Sequence, residues 1–90
     1  MKIETMKKDN YIYFYIWIPE LERRGHKTGV ATYIKYDSWE KNWDVYRTTV
    51  AKYSTGIEFG NGWHLYQNLT KSQAISAAKT ALKILMQGKN

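Results

Sequence analysis

The C-terminal segment Thr70–Gln87 constrains the fold more than any other stretch of the sequence. Its apolar residues recur every three or four positions, which places them on one face of a helix: Ile75, Ala78, Leu82, Leu85 and Met86. Thr70 and Gln73 have the spacing of a capping box, and Gly88 is placed to end the helix in a left-handed conformation. A helix of this length, roughly 25 Å, can cross a small sheet. The segments before it should therefore supply a sheet for this apolar face to cover.

Five segments upstream have the residue types and turn signals of strands: Tyr11–Ile18, Val30–Tyr36, Trp43–Tyr53, Ile57–Phe59 and Trp63–Tyr66. The first alternates most clearly, and Pro19 ends it because proline has no N–H for the ladder. Arg47 and Lys52 fall on opposite parities of the third strand, which predicts a bulge near Thr48 or Thr49.

The last two strands admit two hairpin registers. A two-residue turn at Asn61-Gly62 would place Phe59 opposite His64. A three-residue loop at Gly60–Gly62 would place Phe59 opposite Trp63, so that the apolar residues of both strands share one face. We expect the second register, which also makes Glu58 and His64 cross-strand neighbours on the other face.

The sequence thus predicts an α+β fold, an antiparallel meander of about five strands with one C-terminal α-helix packed on one face (βββββα). Residues 11–90 form a single domain, and residues 1–10 form a flexible N-terminal tail, since their charged residues show no period. The predicted helix-facing residues are Ile12, Phe14, Ile16, Ile34, Ile57, Phe59, Trp63 and Leu65. One helix cannot cover both faces, so the second face should be open or buried in a partner.

Composition excludes several classes of function. The chain has no cysteine, so disulfides, thiolate nucleophiles and thiolate metal sites are absent, and no apolar run approaches the ~20 residues of a membrane span. His26 and His64 are not placed by their spacing to act together, and with the scattered carboxylates they form no recognisable metal or catalytic motif. We therefore expect a cytoplasmic protein that needs no cofactor or metal, does not bind membranes and is not an enzyme.

Charge and aromatic content point to a binding protein. The net charge is +6, and the chain has 8 Tyr and 4 Trp against only 2 Phe. Exposed aromatic rings on a sheet can stack on bases while lysine and arginine attract phosphates. We expect a small basic nucleic-acid-binding module for RNA or single-stranded DNA, which uses an aromatic sheet face and the basic loop that contains Arg23, Arg24, His26 and Lys27. The predicted binding residues are Tyr11, Tyr13, Tyr15, Trp17, Arg23, Arg24, Lys27, Tyr33, Lys35 and Tyr66.

The same residues admit two other interpretations. Tyrosine, tryptophan and arginine are enriched at protein-interface hot spots, so the face could dock an acidic protein surface or a second copy of the chain. The protein would then be a small protein-binding regulator or inhibitor, such as a mobile-element or phage-type protein acting on host machinery. Alternatively, the aromatic residues form strands well and simply pack against one another.

A partial resemblance concerns the C-terminal helix. Lys71-Ser72-Gln73-Ala74, with the alanines and leucines that follow, resembles the last helix of double-stranded-RNA-binding domains, which also follows a three-stranded meander. The alanines are one residue out of step, and the leading helix and the basic pair at the helix start are absent. The match covers under a quarter of the chain, so the chain is not assigned to that family.

Overall fold

The computed structural model describes residues 2–88 and confirms the α+β meander with a C-terminal helix. The elements in chain order are β1 (Glu4–Lys8), β2 (Tyr11–Trp17), a 3₁₀ turn (Pro19–Leu21), β3 (Lys27–Asp37), β4 (Asn42–Tyr53), β5 (Gly56–Phe59), β6 (Trp63–Leu69) and α1 (Lys71–Gln87). Met1, Lys89 and Asn90, which the predicted tail and domain included, lie outside the described residues.

The six strands form one antiparallel sheet built around β3 and β4. The strand order is β1-β2-β3-β4, and β5 and β6 both pair with β4. The β3–β4 register runs without a shift from Lys27 opposite Lys52 to Asp37 opposite Asn42. The bulge predicted near Thr48 or Thr49 is therefore wrong; the register shifts lie between β4 and β6, around Val45.

Helix α1 packs on the sheet with the predicted face. Thr70 and Gln73 form the predicted capping box, and Ala74, Ala78 and Leu82 are buried. The Thr32 hydroxyl of β3 donates a hydrogen bond of 2.8 Å to the Ala78 carbonyl, which fixes the helix over the sheet. The prediction of a left-handed conformation at Gly88 was wrong, because this residue has a φ of −71° and is right-handed. The main core also contains Ile12, Phe14, Ile16, Val30, Ile34 and Val45.

The N-terminal tail prediction was wrong for Glu4–Lys8, which form strand β1 paired with β2. A two-residue turn joins the strands, with Asp9 at a φ of 53°. An edge strand is held mainly by its backbone ladder, and lysines on an edge discourage pairing with other chains. Lys7 and Lys8 therefore suit a strand here even though their side chains show no apolar alternation.

The predicted pairing of the last two strands was also wrong. β5 and β6 do not form a hairpin with each other; both lie along β4, with Phe59 opposite Val50 and Trp63 opposite Arg47. The Gly60–Gly62 connection joins two strands that run in the same direction along one edge. The Glu58–His64 pair does not form either, since Glu58 lies opposite Ala51.

This pairing turns Ile57 and Phe59 away from the helix. They contribute to a second core on the opposite face of the sheet, centred on the buried residues Tyr15, Ala31 and Val50. Gly29 and Ala31 are the small residues on this side of β3, and a Cβ at Gly29 would lie 3.1 Å from a Val50 methyl group. The sheet therefore curls over small residues, and part of the predicted open face closes on itself.

Candidate functional site

The face opposite α1, called here the aromatic face, carries a group of five aromatic rings in its accessible part. Cross-strand pairing aligns Tyr13 with Tyr33, Tyr33 with Tyr46, and Tyr46 with His64, so these side chains lie in a line across the sheet. Tyr11 lies two residues before Tyr13 on the same side of β2. These five residues are called the aromatic row.

Every ring of the aromatic row contacts a neighbour. The ring centroids of Tyr33 and Tyr46 are 4.8 Å apart with planes 13° apart, and those of Tyr46 and His64 are 4.6 Å and 21° apart. Tyr11 and Tyr13 stack at 5.9 Å, and Tyr13 lies 5.1 Å from Tyr33. The four tyrosines are half-buried. Mutual packing therefore holds the rings in fixed positions while part of each stays accessible.

Burial changes the acidity of the phenols in this cluster. Burial, with smaller contributions from Tyr46, Tyr13 and Tyr11, raises the pKa of Tyr33 to about 12. Burial also raises the pKa of Tyr13, with Tyr11 adding to the shift. Tyr13 and Tyr33 are accordingly uncharged near neutral pH, so their hydroxyl groups can donate as well as accept hydrogen bonds.

Lysines flank Tyr11 at one end of the aromatic row. Lys8 and Lys35 are the cross-strand neighbours of Tyr11, and the Lys35 ammonium lies 5.6 Å from the centre of its ring. Within residues 2–88, the one contact shorter than 4.0 Å between a basic and an acidic side chain joins His64 to Asp44 at 3.7 Å. No lysine or arginine among residues 2–88 therefore has a carboxylate within 4.0 Å of its charged group.

The β3–β4 turn, at the end of the strands where Tyr11 and Lys35 lie, presents Trp39 to solvent. The indole is 89% exposed. The turn itself is well ordered, because an Asp37 carboxylate oxygen accepts hydrogen bonds from the N–H groups of Trp39 (2.9 Å) and Glu40 (3.2 Å). It also lies beside the β1–β2 turn, since the Tyr36 N–H donates to the Asn10 carbonyl at 3.0 Å. A large apolar ring held in the open by a fixed turn is a typical recognition element.

The predicted binding residues of the other half of β2 are less accessible than expected. Tyr15 is only 4% exposed, because Phe59 covers it with its ring centroid 5.7 Å away. Trp17 is half-buried and packs edge-on against Tyr15 at 5.4 Å. The expectation that the whole aromatic face is open was wrong, because the sheet curls and β5 covers this half.

The basic loop lies at the other end of the sheet from the aromatic row. Arg23 and His26 form a backbone bridge across a tight turn, in which Arg24 has a φ of 50°. Both arginines are exposed, and the Lys27 ammonium lies 6.0 Å from the centre of the Trp17 ring. Tyr11 and Trp17 are six residues apart, about 20 Å along a strand. The structure therefore brings Tyr11, Tyr13, Tyr33 and Lys35 together but leaves the loop apart from them.

Tyr66 was placed on the wrong face by the sequence analysis. A register shift in β6 sets Tyr66 opposite Val45 but His64 opposite Tyr46, so the strict alternation fails between them. Tyr66 is 53% exposed and borders a groove beside α1 with Leu65. Trp63 and Leu65, predicted in the core, are likewise exposed.

The two histidines lie apart. His26 packs edge-on against Tyr53 at 5.7 Å, whereas His64 stacks on Tyr46. Tyr46 and Tyr53 are seven residues apart in β4, which is roughly 23 Å along a strand. Among the described residues, no three His, Asp or Glu side chains are grouped closely enough to hold a metal ion.

Sequence reasoning missed Tyr46 and Trp39. Tyr46 was overlooked because β4 shows poor alternation, although its pairing with Tyr33 places it in the middle of the aromatic row. Trp39 did carry a signal: a tryptophan in a short polar turn has no core within reach and should be exposed.

In comparisons with protein-family models, curated proteins and solved structures, no match was found for this chain. Across residues 2–88, no helix has both the length and the apolar character required to cross a membrane.

Proposed function

We propose that this protein binds single-stranded nucleic acid, RNA or DNA, through the aromatic row and the adjacent β3–β4 turn. The observation that carries the proposal is the continuous line of half-exposed rings across the sheet, with Lys8 and Lys35 at one end. Among the described residues no carboxylate lies within 4.0 Å of either ammonium, and the acidic residue opposite Lys35 is Asp44, which contacts His64. The proposed role is one of binding, and the two histidines, which would be the candidates for a general acid and base, lie apart.

The side chains of this surface would contact different parts of a nucleic acid. The faces of Tyr33 and Tyr46 are largely occupied by each other, and the hydroxyl end of Tyr33 lies against Gly62, so a ligand would meet the exposed edges of these rings. Trp39 has a free face, and stacking a base on an aromatic ring is worth about 1–3 kcal/mol. Lys8 lies in β1, Lys35 in β3 and Lys41 in the β3–β4 turn. These lysines would contact phosphates. An unpaired base is required for stacking, which favours single strands over duplexes.

Fluorescence anisotropy with labelled oligonucleotides of mixed sequence tests the proposal. We expect single strands to bind more tightly than duplexes of the same length, and affinity to fall steeply between about 50 and about 200 mM salt, because bound phosphates release counterions. Trp39→Ala should weaken binding by roughly 5- to 150-fold, which corresponds to the loss of one stacked base.

Charge variants with the same change in net charge provide the matched control. Lys35→Glu should weaken binding and make the salt dependence shallower, whereas Lys83→Glu, on the exposed side of α1, should have little effect. Absence of binding at low salt, or equal effects of the two substitutions, would contradict the proposal.

A second candidate function is docking of an acidic protein surface on the same face, as a regulator or inhibitor. It is favoured by the interlocked rings of the aromatic row, since their faces are already filled and a preformed, ordered surface suits shape complementarity to a protein. Purification with and without nuclease discriminates the two. A stoichiometric protein that stays bound after nuclease treatment supports the second candidate, and loss of all bound material supports the first.

A further inference from the structure

An apolar groove lies between β6 and α1, on the side of the sheet opposite the aromatic row. Its volume is about 410 Å³, within the range of small-ligand sites. Ala77 and Ala81 of the helix face it, and such small side chains leave the space between helix and strand unfilled. The groove extends from Ala77 to Leu85, about 12 Å along the helix axis.

The exposed apolar side chains of the protein concentrate at this groove. Seven large hydrophobic residues of the described chain are exposed, and four of them surround the groove or its end: Trp63, Leu65, Tyr66 and Ile84. A cluster of this kind marks an interaction site, whereas single exposed apolar residues are ordinary.

Arg47 is the one charged residue among the groove's lining residues. Its guanidinium lies 5.2 Å from the centre of the Trp63 ring, which holds it at one end of the groove, and no carboxylate lies within 4.0 Å of it among residues 2–88. A second copy of the chain docked here would bring another Arg47 close, and like charges oppose that contact. The groove therefore suits an apolar occupant with one negative charge.

We propose that the β6–α1 groove binds a small amphiphilic carboxylate, an apolar chain or ring with a single anionic end. The apolar part lies against Leu65, Ala81 and Leu85, and the carboxylate pairs with the Arg47 guanidinium, which can donate two parallel hydrogen bonds. The Thr80 hydroxyl, which also lines the groove, is a further donor. This site is independent of the nucleic-acid proposal, because it uses the other face of the sheet.

Three eight-carbon probes that differ in their head group test this inference: octanoate, 1-octanol and octylamine. Titration followed by backbone amide NMR shifts should show one saturable octanoate site with the largest shifts at Leu65, Ala81 and Ile84. Octanoate should bind at least about tenfold more tightly than 1-octanol, as expected for one charge-assisted hydrogen-bonded pair. Octylamine should bind more weakly than both.

Matched variants distinguish binding in the groove from general effects of charge and hydrophobicity on probe binding. Arg47→Gln should reduce octanoate affinity by about tenfold and leave 1-octanol unchanged, whereas Arg23→Gln, in the distant loop, should change neither. Ala81→Phe should block both probes, whereas Ser76→Phe, on the exposed side of α1, should not. The proposal would be overturned by the absence of a saturable shift, by shifts centred on the aromatic row, or by equal effects of Arg47→Gln and Arg23→Gln. It would also be overturned if the protein formed a concentration-dependent dimer that the Ile84→Glu substitution abolished.

Discussion

The rings of Tyr13 and Phe59 stack with their centroids 3.9 Å apart and their planes 14° apart. Tyr13 belongs to β2 and Phe59 to β5, and β3 and β4 lie between these strands in the sheet. The two rings can meet only because the sheet curls strongly and brings its outer strands toward each other. This contact divides the aromatic face into a closed half around Tyr15 and an accessible half that contains the aromatic row.

Phe59→Ala should therefore destabilise the protein by about 2–3 kcal/mol, somewhat less than for a fully buried phenylalanine because Phe59 is half-buried. Urea unfolding measures the change. Glu58→Ala, on the neighbouring exposed position, is the control and should change stability by less than about 0.5 kcal/mol. Equal stability of the two variants would mean that Phe59 does not hold the closed half.

Gly62→Ala should destabilise the fold by about 1–3 kcal/mol through overpacking. A Cβ at this position would lie 2.8 Å from the Cε1 and Cζ atoms of Tyr33, which is too close for carbon atoms. Tyr33→Ala should remove most of this cost, and the double-mutant cycle measured by thermal unfolding should give a coupling of at least about 0.5 kcal/mol. Additive effects of the two substitutions would show that the Tyr33 ring does not rest on Gly62.

Stability should fall as the pH rises between about 10 and about 12. The pKa of Tyr33 is raised from 10.0 to about 12 in the folded protein, so in this window the unfolded chain releases a proton that the folded protein retains. Below pH 10 both states hold the proton and this contribution to the pH dependence vanishes. Urea unfolding at a series of pH values should show a shallower decline for Tyr33→Phe. Some decline should remain, because burial raises the pKa of Tyr13 and Tyr15 in the same direction.

Thr32→Val should cost about 0.5–1.5 kcal/mol, because it removes the buried hydrogen bond from the Thr32 hydroxyl to the Ala78 carbonyl while keeping the side-chain volume similar. Thr28→Val, on the same side of β3 but exposed, is the matched control and should be nearly neutral. Chemical denaturation of both variants checks the prediction. A neutral Thr32→Val would mean that apolar packing alone positions α1.

The parts of the fold that sequence analysis anticipated are those governed by short-range patterns. Thr70 and Gln73 are three residues apart and cap the helix locally, so their pairing needs no tertiary context. Ile12, Phe14 and Ile16 alternate with tyrosines, and the alternation alone assigned them to the core. Strand β1 was missed because an edge strand depends on backbone pairing, which leaves little trace in its side chains.

The candidate site was anticipated in part for the same reason. Tyr11, Tyr13 and Tyr33 were assigned to one face from the period of two, and the structure places them together. Tyr66 was assigned to that face and lies elsewhere, because a register shift in β6 breaks the alternation. Tyr15 was assigned to an open surface and is buried, because Phe59 reaches it from a strand that the sequence had placed on the other face.

Local sequence patterns specify the capped amphipathic helix and the alternating face of β2, since each depends on residues close together along the chain, and composition alone gives the excess of positive charge. Long-range packing sets the pairing of β5 and β6 with β4, the curl of the sheet and the accessibility of each aromatic ring. Strand pairing and sheet curvature join residues far apart in sequence, and several registers satisfy the same local pattern, so packing over the whole sheet selects among them.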